Sequence, residues 1–200
     1  MSGRTAAILG VAAWFTAACI GGLGGIFATG QPLALLPYVL LPITGFLLAY
    51  GLSPSLRAFA DGLSLTLLVG SHLWRFVGVG FVVGWLQGSL PAGFGIPEGF
   101  GDIIAAVGAL LLLPSIRRGT VSPRWLLAWN VWGLLDLLSA ITVGILYSNS
   151  PLGVLSRGGP TTRSMTVFPV SLIPTFFVPL FILLHVLTFK RIATLRRTAP

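Results

Sequence analysis

Six long stretches of this chain are almost wholly apolar, and short segments marked by polar, glycine or proline residues separate them. Each stretch approaches or exceeds the roughly 20 residues that a helix needs to cross about 30 Å of hydrocarbon. The runs are continuous and lack the two-residue alternation of a membrane β-barrel strand. The pattern therefore predicts an all-α, polytopic transmembrane helix bundle, with residues 1–200 forming a single membrane domain. The spans are expected near residues 6–28, 33–52, 65–88, 99–114, 125–147 and 168–189. Pro37 and Pro42 should bend the second span, and Pro169, Pro174 and Pro179 should interrupt the sixth, because proline removes a helical hydrogen bond.

Two connecting segments depart from plain loops. Ser53 to Asp61 places Arg57 and Asp61 four residues apart on one helical face, with Leu56, Phe59 and Leu63 on the other sides. That distribution predicts a short helix lying in the interface. The stretch from Ser89 to Asp102 is rich in glycine and proline yet still apolar. It reads as an outer loop that dips toward the membrane, where irregular backbone survives only against protein or a water-filled cavity.

Composition agrees with a membrane setting. Apolar residues make up 55% of the chain and charged residues 8%, with a mean hydropathy of +0.96; soluble domains carry about 25% charged residues. A net charge of +8 would suggest nucleic acid in a soluble protein, but no basic domain lies outside the apolar runs, so nucleic-acid binding is excluded. Arg4, Arg57, Arg117, Arg118, Arg124, Lys190, Arg191, Arg196 and Arg197 fall by alternation on one side, and only Arg157 and Arg163 on the other. The positive-inside rule then expects both termini in the cytoplasm. Cys19 is the single cysteine, which excludes an internal disulfide and a cysteine metal cluster. The first run is longer than a signal-peptide core of about 7–15 residues and is expected to remain as an anchor. A lipoprotein signal ending at Cys19 is a competing reading, opposed by the apolar residues that follow it.

A few polar residues inside the apolar runs carry the candidate chemistry, since ionisable groups in a membrane interior are costly and mark function or pairing. Arg75 in the third span and Asp136 in the fifth should reach similar depth and could pair, either as a structural lock or as a polar site with Asn130 that binds a small-molecule solute or relays a proton. Glu98 and Asp102 are assigned to the outer loop, Asp102 as a helix N-cap or as part of a mouth that gathers cations. His72 and His185 both lie near the cytoplasmic boundary and could hold a haem b iron between them; packing is the alternative, and no other cofactor or metal is expected. Gly80, Gly84 and Gly88 form a small-residue row, as do Gly21 with Gly25 and Gly101 with Ala105 and Ala109. Such rows serve packing within the chain or association with another copy or a membrane partner. Walker-type, zinc-protease and nucleophile-elbow motifs are absent, which argues against a nucleotide-driven pump or an intramembrane metalloprotease and leaves open whether the chain catalyses any reaction.

The pattern Trp74-Arg75-x-x-Gly78, Gln87-Gly88-x-Leu90-Pro91-x-x-Phe94 and Pro97-x-Gly99-x-Gly101-Asp102 resembles small multi-pass bacterial membrane proteins of unassigned function. The segment from Asn130 to Asp136 and the proline-rich last span with His185 are similar too, so the likeness covers about the last two-thirds of the chain. The resemblance implies a bacterial cytoplasmic-membrane protein and carries no reaction, ligand or partner with it. Three functions follow as expectations: a small transporter or permease with a buried polar site, a membrane scaffold or assembly factor, and a bis-histidine haem protein for electron transfer.

Overall fold

The computed structural model describes residues 2–28 and 32–198; the side chain of Arg197, counted above among the basic residues, lies outside the described residues. Seven helices follow in order: α1 (Gly3–Leu23), α2 (Pro32–Leu52), α3 (Pro54–Asp61), α4 (Leu65–Leu86), α5 (Ala92–Arg117), α6 (Pro123–Leu146) and α7 (residues 173–198). All but α3 are long and apolar enough to cross a membrane. The fold is an all-α transmembrane bundle of six spans with a short helix at one face. That face, where α1 begins, is called the N-terminal face below.

Three boundaries differ from the sequence pattern, each for a physical reason. The fourth span begins at Ala92, not near residue 99, so most of the expected Gly/Pro-rich loop is helix. Glycine weakens a helix in water, but in hydrocarbon the backbone has no other partner for its N–H and C=O groups, and the helix is imposed. Helix α1 ends at Leu23 rather than at residue 28; Gly25 follows with φ +72°, a conformation that closes helices and suits glycine. The last span starts at Ile173 as a π turn (Ile173–Phe177) and continues as an α-helix to Thr198. Pro179 cannot donate to the Thr175 carbonyl four residues back, and the Trp14 indole N–H from α1 donates to that oxygen at 2.9 Å.

Helix α3 lies at the N-terminal face, as its composition predicts. Ser53 caps it by accepting from the Leu56 amide at 3.3 Å. Asp61 accepts from the Tyr50 hydroxyl at 2.6 Å and from Lys190 Nζ at 3.2 Å. Arg57 donates from Nε to the Tyr50 carbonyl at 3.2 Å, which satisfies an end of α2. The helix thereby ties α2 to α7.

Helices α4 and α5 are packed most closely, and glycine makes the approach possible. A Cβ at Gly78 would fall 2.6 Å from both the Gly99 carbonyl oxygen and the Asp102 Cβ. The row expected along Gly80, Gly84 and Gly88 is broken by the local structure. Gly84 is covered by Leu90 of the same chain, Gly80 meets open space, and Gly88 is a left-handed residue beyond the helix end with φ +70°. The same holds for Gly21 and Gly25, of which only the first packs within a helix. By contrast, Gly101, Ala105 and Ala109 do face the interior, toward α6.

The contrast between Gly78 and Gly80 is testable. Gly78→Ala should force α4 from α5 and destabilise the fold by about 1–3 kcal/mol, the usual cost of overpacking. Gly80→Ala should leave the stability unchanged or raise it slightly, since the new methyl meets nothing. Unfolding in mixed micelles would read both, and equal effects would contradict the packing described.

Candidate functional site

The middle of α4, Ser71–Val77, winds as a 3₁₀ helix between Gly70 and Gly78. In that conformation residues three apart eclipse one another. His72 and Arg75 therefore stand on one face, and both are fully buried in the bundle. The sequence placed them one turn apart; the tighter winding aligns them.

Arg75 is the centre of the site. Its Nε donates to Asp102 Oδ1 at 2.6 Å, its Nη2 donates to Asp136 Oδ2, and its Nη1 donates to the Gly133 carbonyl at 3.1 Å. The guanidinium thus joins three helices, α4, α5 and α6. The expected pairing of Arg75 with Asp136 is present. Gly101 makes it possible on the α5 side, because a Cβ there would collide with the Asp136 carboxylate.

Glu98 and Asp102 do not belong to an outer loop. Both sit on one face of α5 four residues apart and are buried, and Asp102 caps no helix since α5 starts ten residues earlier. The error lay in the loop assignment, for the same glycines that suggested a turn serve close packing. Glu98 Oε1 accepts from the Ser139 hydroxyl of α6 at 2.9 Å, while Oε2 has no hydrogen bond among the described residues. Two carboxylates thus bond one guanidinium, and the Glu98 carboxyl lies one helical turn before Asp102 on the same face. Fully ionised, the cluster would carry excess negative charge, which in a membrane interior calls for protons or a cation.

Asp102 also forms the inner end of a cavity of about 100 Å³. Its walls are Leu35, Val39, Phe81, Phe94 and Ile141, and its outer rim holds Ser148, Asn149, Thr162 and Arg163. The volume corresponds to about three waters at roughly 30 Å³ each. The rim is held in place by Thr162, which bonds the ends of α6: its amide donates to the Tyr147 carbonyl at 3.0 Å and its hydroxyl to the Gly144 carbonyl at 2.8 Å. On the other side of the cluster, Val69, Ala109, Leu126, Trp129 and Ile192 form a closed apolar core.

Asn130 does not touch the Arg75–Asp136 pair. It holds His185 of α7 instead: Nδ2 donates to the His185 carbonyl at 3.1 Å, and Oδ1 faces His185 Nδ1 at 2.8 Å. The first bond fixes the amide orientation, so Nδ1 must carry the proton. Nε2 of His185 makes no hydrogen bond among the described residues. It points toward Gly133, where a Cβ would lie 2.7 Å from it and 3.1 Å from Arg75 Nη1. Asn130 and His185 thus join the polar layer through Gly133.

His72 and His185 do come together, but in direct contact. Their ring centroids are 4.1 Å apart at 38°, and Trp129 and Phe181 pack on the His72 ring. A haem iron between two imidazoles requires a porphyrin plane between the rings. These rings touch, and Asn130 occupies one nitrogen of His185, so the pair does not fit a bis-histidine haem. Neither nitrogen of His72 is hydrogen-bonded among the described residues. Ser139 and Gly133 are the contributors that the sequence did not single out. Ser139 lies almost one turn beyond Asp136 on α6, a spacing that could have flagged it.

If the cluster is bound as described, Arg75→Met leaves two buried carboxyl groups without their counter-charge. Loss of one partner of a buried pair costs about 3–5 kcal/mol. The triple change Arg75→Met with Asp102→Asn and Asp136→Asn should recover most of that loss, measured as the folded fraction during denaturant titration in micelles. No recovery would mean that the charges are not coupled.

No curated protein and no solved structure matches the chain. Residues 32–193, which contain α2 to α6 and nearly all of α7, match the model of a family described as a domain of unknown function, DUF8737, and the chain belongs to that family.

Proposed function

We propose that this chain is a small transporter of a bacterial cytoplasmic membrane, which moves a small polar or cationic solute through the Arg75–Asp102–Asp136 cluster. The observation that carries the reading is the position of that cluster. Its member Asp102 lines a cavity that also takes in Ser148, Asn149, Thr162 and Arg163 at the face opposite the N terminus, and Val69, Ala109, Leu126, Trp129 and Ile192 pack as an apolar core on the other side. A buried site with access from one face alone is what alternating access requires of each of its end states. The excess of carboxyl groups over the single guanidinium favours a cation or a proton as the moving charge. Glu98 extends the polar path toward the cavity side, and His185 and His72 extend it toward the N-terminal face.

The orientation rests on the basic residues. Nine of the twelve Lys and Arg residues flank the N-terminal face, two lie in the loop on the other face, and Arg75 is internal. Both termini are then cytoplasmic, and the cavity opens outward. Cysteines introduced singly at Ser2 and Ser150, in a chain with Cys19→Ala, test this in whole cells. A membrane-impermeant maleimide should label only the second; labelling of the first alone would invert the orientation.

The transport reading makes its own prediction. In proteoliposomes on a solid-supported membrane, applied gradients of protons, alkali cations, small amines and amino acids should reveal at least one current above empty vesicles. Asp136→Asn should reduce that current at least tenfold while the amount of folded protein in the membrane stays the same. A panel without any current, or an Asp136→Asn protein that fails to insert, would assign the cluster to structure alone.

A further inference from the structure

Away from the polar cluster, α1 and α2 are held apart by a large apolar crevice. Its volume is about 860 Å³, within the roughly 300–1,000 Å³ of small-ligand sites. The α1 side is a stripe of small residues, Ala6, Gly10, Ala13 and Ala17, and the α2 side presents Pro42, Gly45 and Ala49. Small faces normally bring membrane helices into contact. Here they do not: nothing lies within 4 Å of where a Cβ would sit at Gly10 or at Gly45. The two helices do approach farther from that face, where a Cβ at Gly21 would come 2.9 Å from the Tyr38 hydroxyl. Leucines of α7 form the back wall, and α3 with the turn after it lays Leu56, Phe59 and Leu63 along the end at the N-terminal face.

We propose that this crevice is a binding site for one anionic phospholipid of the leaflet at the N-terminal face, with acyl chain between α1 and α2 and headgroup at the basic rim. Three observations converge on that occupant. The first is depth: from Ala6 to Ala17 the wall runs about 16 Å at 1.5 Å per residue, and one leaflet contributes about half of a 30 Å hydrocarbon core. The second is volume. A stretch of partner helix about 16 Å long and about 10 Å across, the part that would lie in the crevice, occupies on the order of 1,300 Å³, more than the crevice holds, while a single flexible acyl chain fits it. The third is charge. Cations stand at the N-terminal face on three of the elements that line the crevice: Arg4 in the first turn of α1, Arg57 on α3, and Lys190 with Arg191 on α7. Asp61 is the acid among them, and it is already engaged by Tyr50 and Lys190. Basic residues at a membrane surface favour anionic headgroups by about 1 kcal/mol each.

The full chain should be reconstituted in vesicles of equal phosphatidylglycerol and phosphatidylcholine, extracted in mild detergent and weighed intact by native mass spectrometry. The expected result is one retained phosphatidylglycerol per chain. Filling the crevice with Gly10→Phe and Gly45→Phe should lower retention at least tenfold, whereas Gly80→Phe, which meets open space elsewhere, should not. Arg4→Gln with Arg57→Gln should keep a lipid but reduce the preference for phosphatidylglycerol several-fold. Absence of retained lipid in the unmodified chain, or retention unchanged by the two phenylalanines, would overturn the site, and equal retention of the two lipids would overturn its anionic character. Should the filled chain not fold, chain-brominated phosphatidylglycerol decides on the unmodified protein. It should quench Trp14, read as the difference from Trp14→Tyr, more strongly than brominated phosphatidylcholine, and equal quenching counts against the proposal. These readings do not involve Arg75, so they succeed or fail separately from transport.

Discussion

A guanidinium in the middle of a membrane has to be matched on every side, and much of this bundle is arranged to match Arg75. Carboxylates reach it from α5 and α6, and the Gly133 carbonyl supplies the remaining contact. Each partner needs a backbone close enough to place it. Gly78 lets α5 approach α4, Gly101 leaves room for the Asp136 carboxylate, and Gly133 leaves room for His185 beside the guanidinium. The glycines and the charges are thus one design. Removing side chains from the helix faces brings the charged groups of different helices within hydrogen-bonding distance, and the resulting pairs hold the helices together.

The second constraint is the backbone itself. No water is available in hydrocarbon for a freed carbonyl, so every break in a helix needs a local substitute. At the Pro179 break the substitute is the Trp14 indole, which ties α1 to the π turn. At the end of α6 it is Thr162, which folds the long connection back over the cavity rim. At the end of α2 it is Arg57. Polar bonds between elements thus fall in two places, the buried layer around Arg75 and His185 and the points where a helix ends or is interrupted.

How much of this the sequence discloses follows from which physics each feature obeys. Span number and the interfacial helix rest on apolar length and amphipathicity, which are local, and both are legible. The Arg75–Asp136 pairing was accessible as a possibility, because depth follows from residue count, but helix rotation does not. The burial of Glu98 and Asp102 within a helix is not legible, because the glycines and prolines around them end helices in water but are held helical in hydrocarbon. Asn130 was recognised as buried and polar, yet its partner is His185 rather than the charged pair. That choice depends on α7, far away in the chain. The histidine contact was likewise visible as proximity, but a haem requires a gap between the rings, and ring spacing is set by packing against Trp129 and Phe181.

The winding of α4 sets the direction in which Arg75 points. A 3₁₀ helix has 3.0 residues per turn and an α-helix 3.6, so each residue turns about 120° in one and about 100° in the other. Over the seven residues Ser71–Val77 the two forms differ by roughly 140° of rotation. His72 and Arg75 lie inside that stretch, and Gly70 and Gly78 bound it with little side-chain hindrance to a change of winding. At Arg75, the fifth residue of that stretch, the difference amounts to about 100°, enough to turn the guanidinium away from Asp102 and Asp136. The 3₁₀ winding of Ser71–Val77 is therefore what holds Arg75 toward Asp102, Asp136 and the Gly133 carbonyl in this structure.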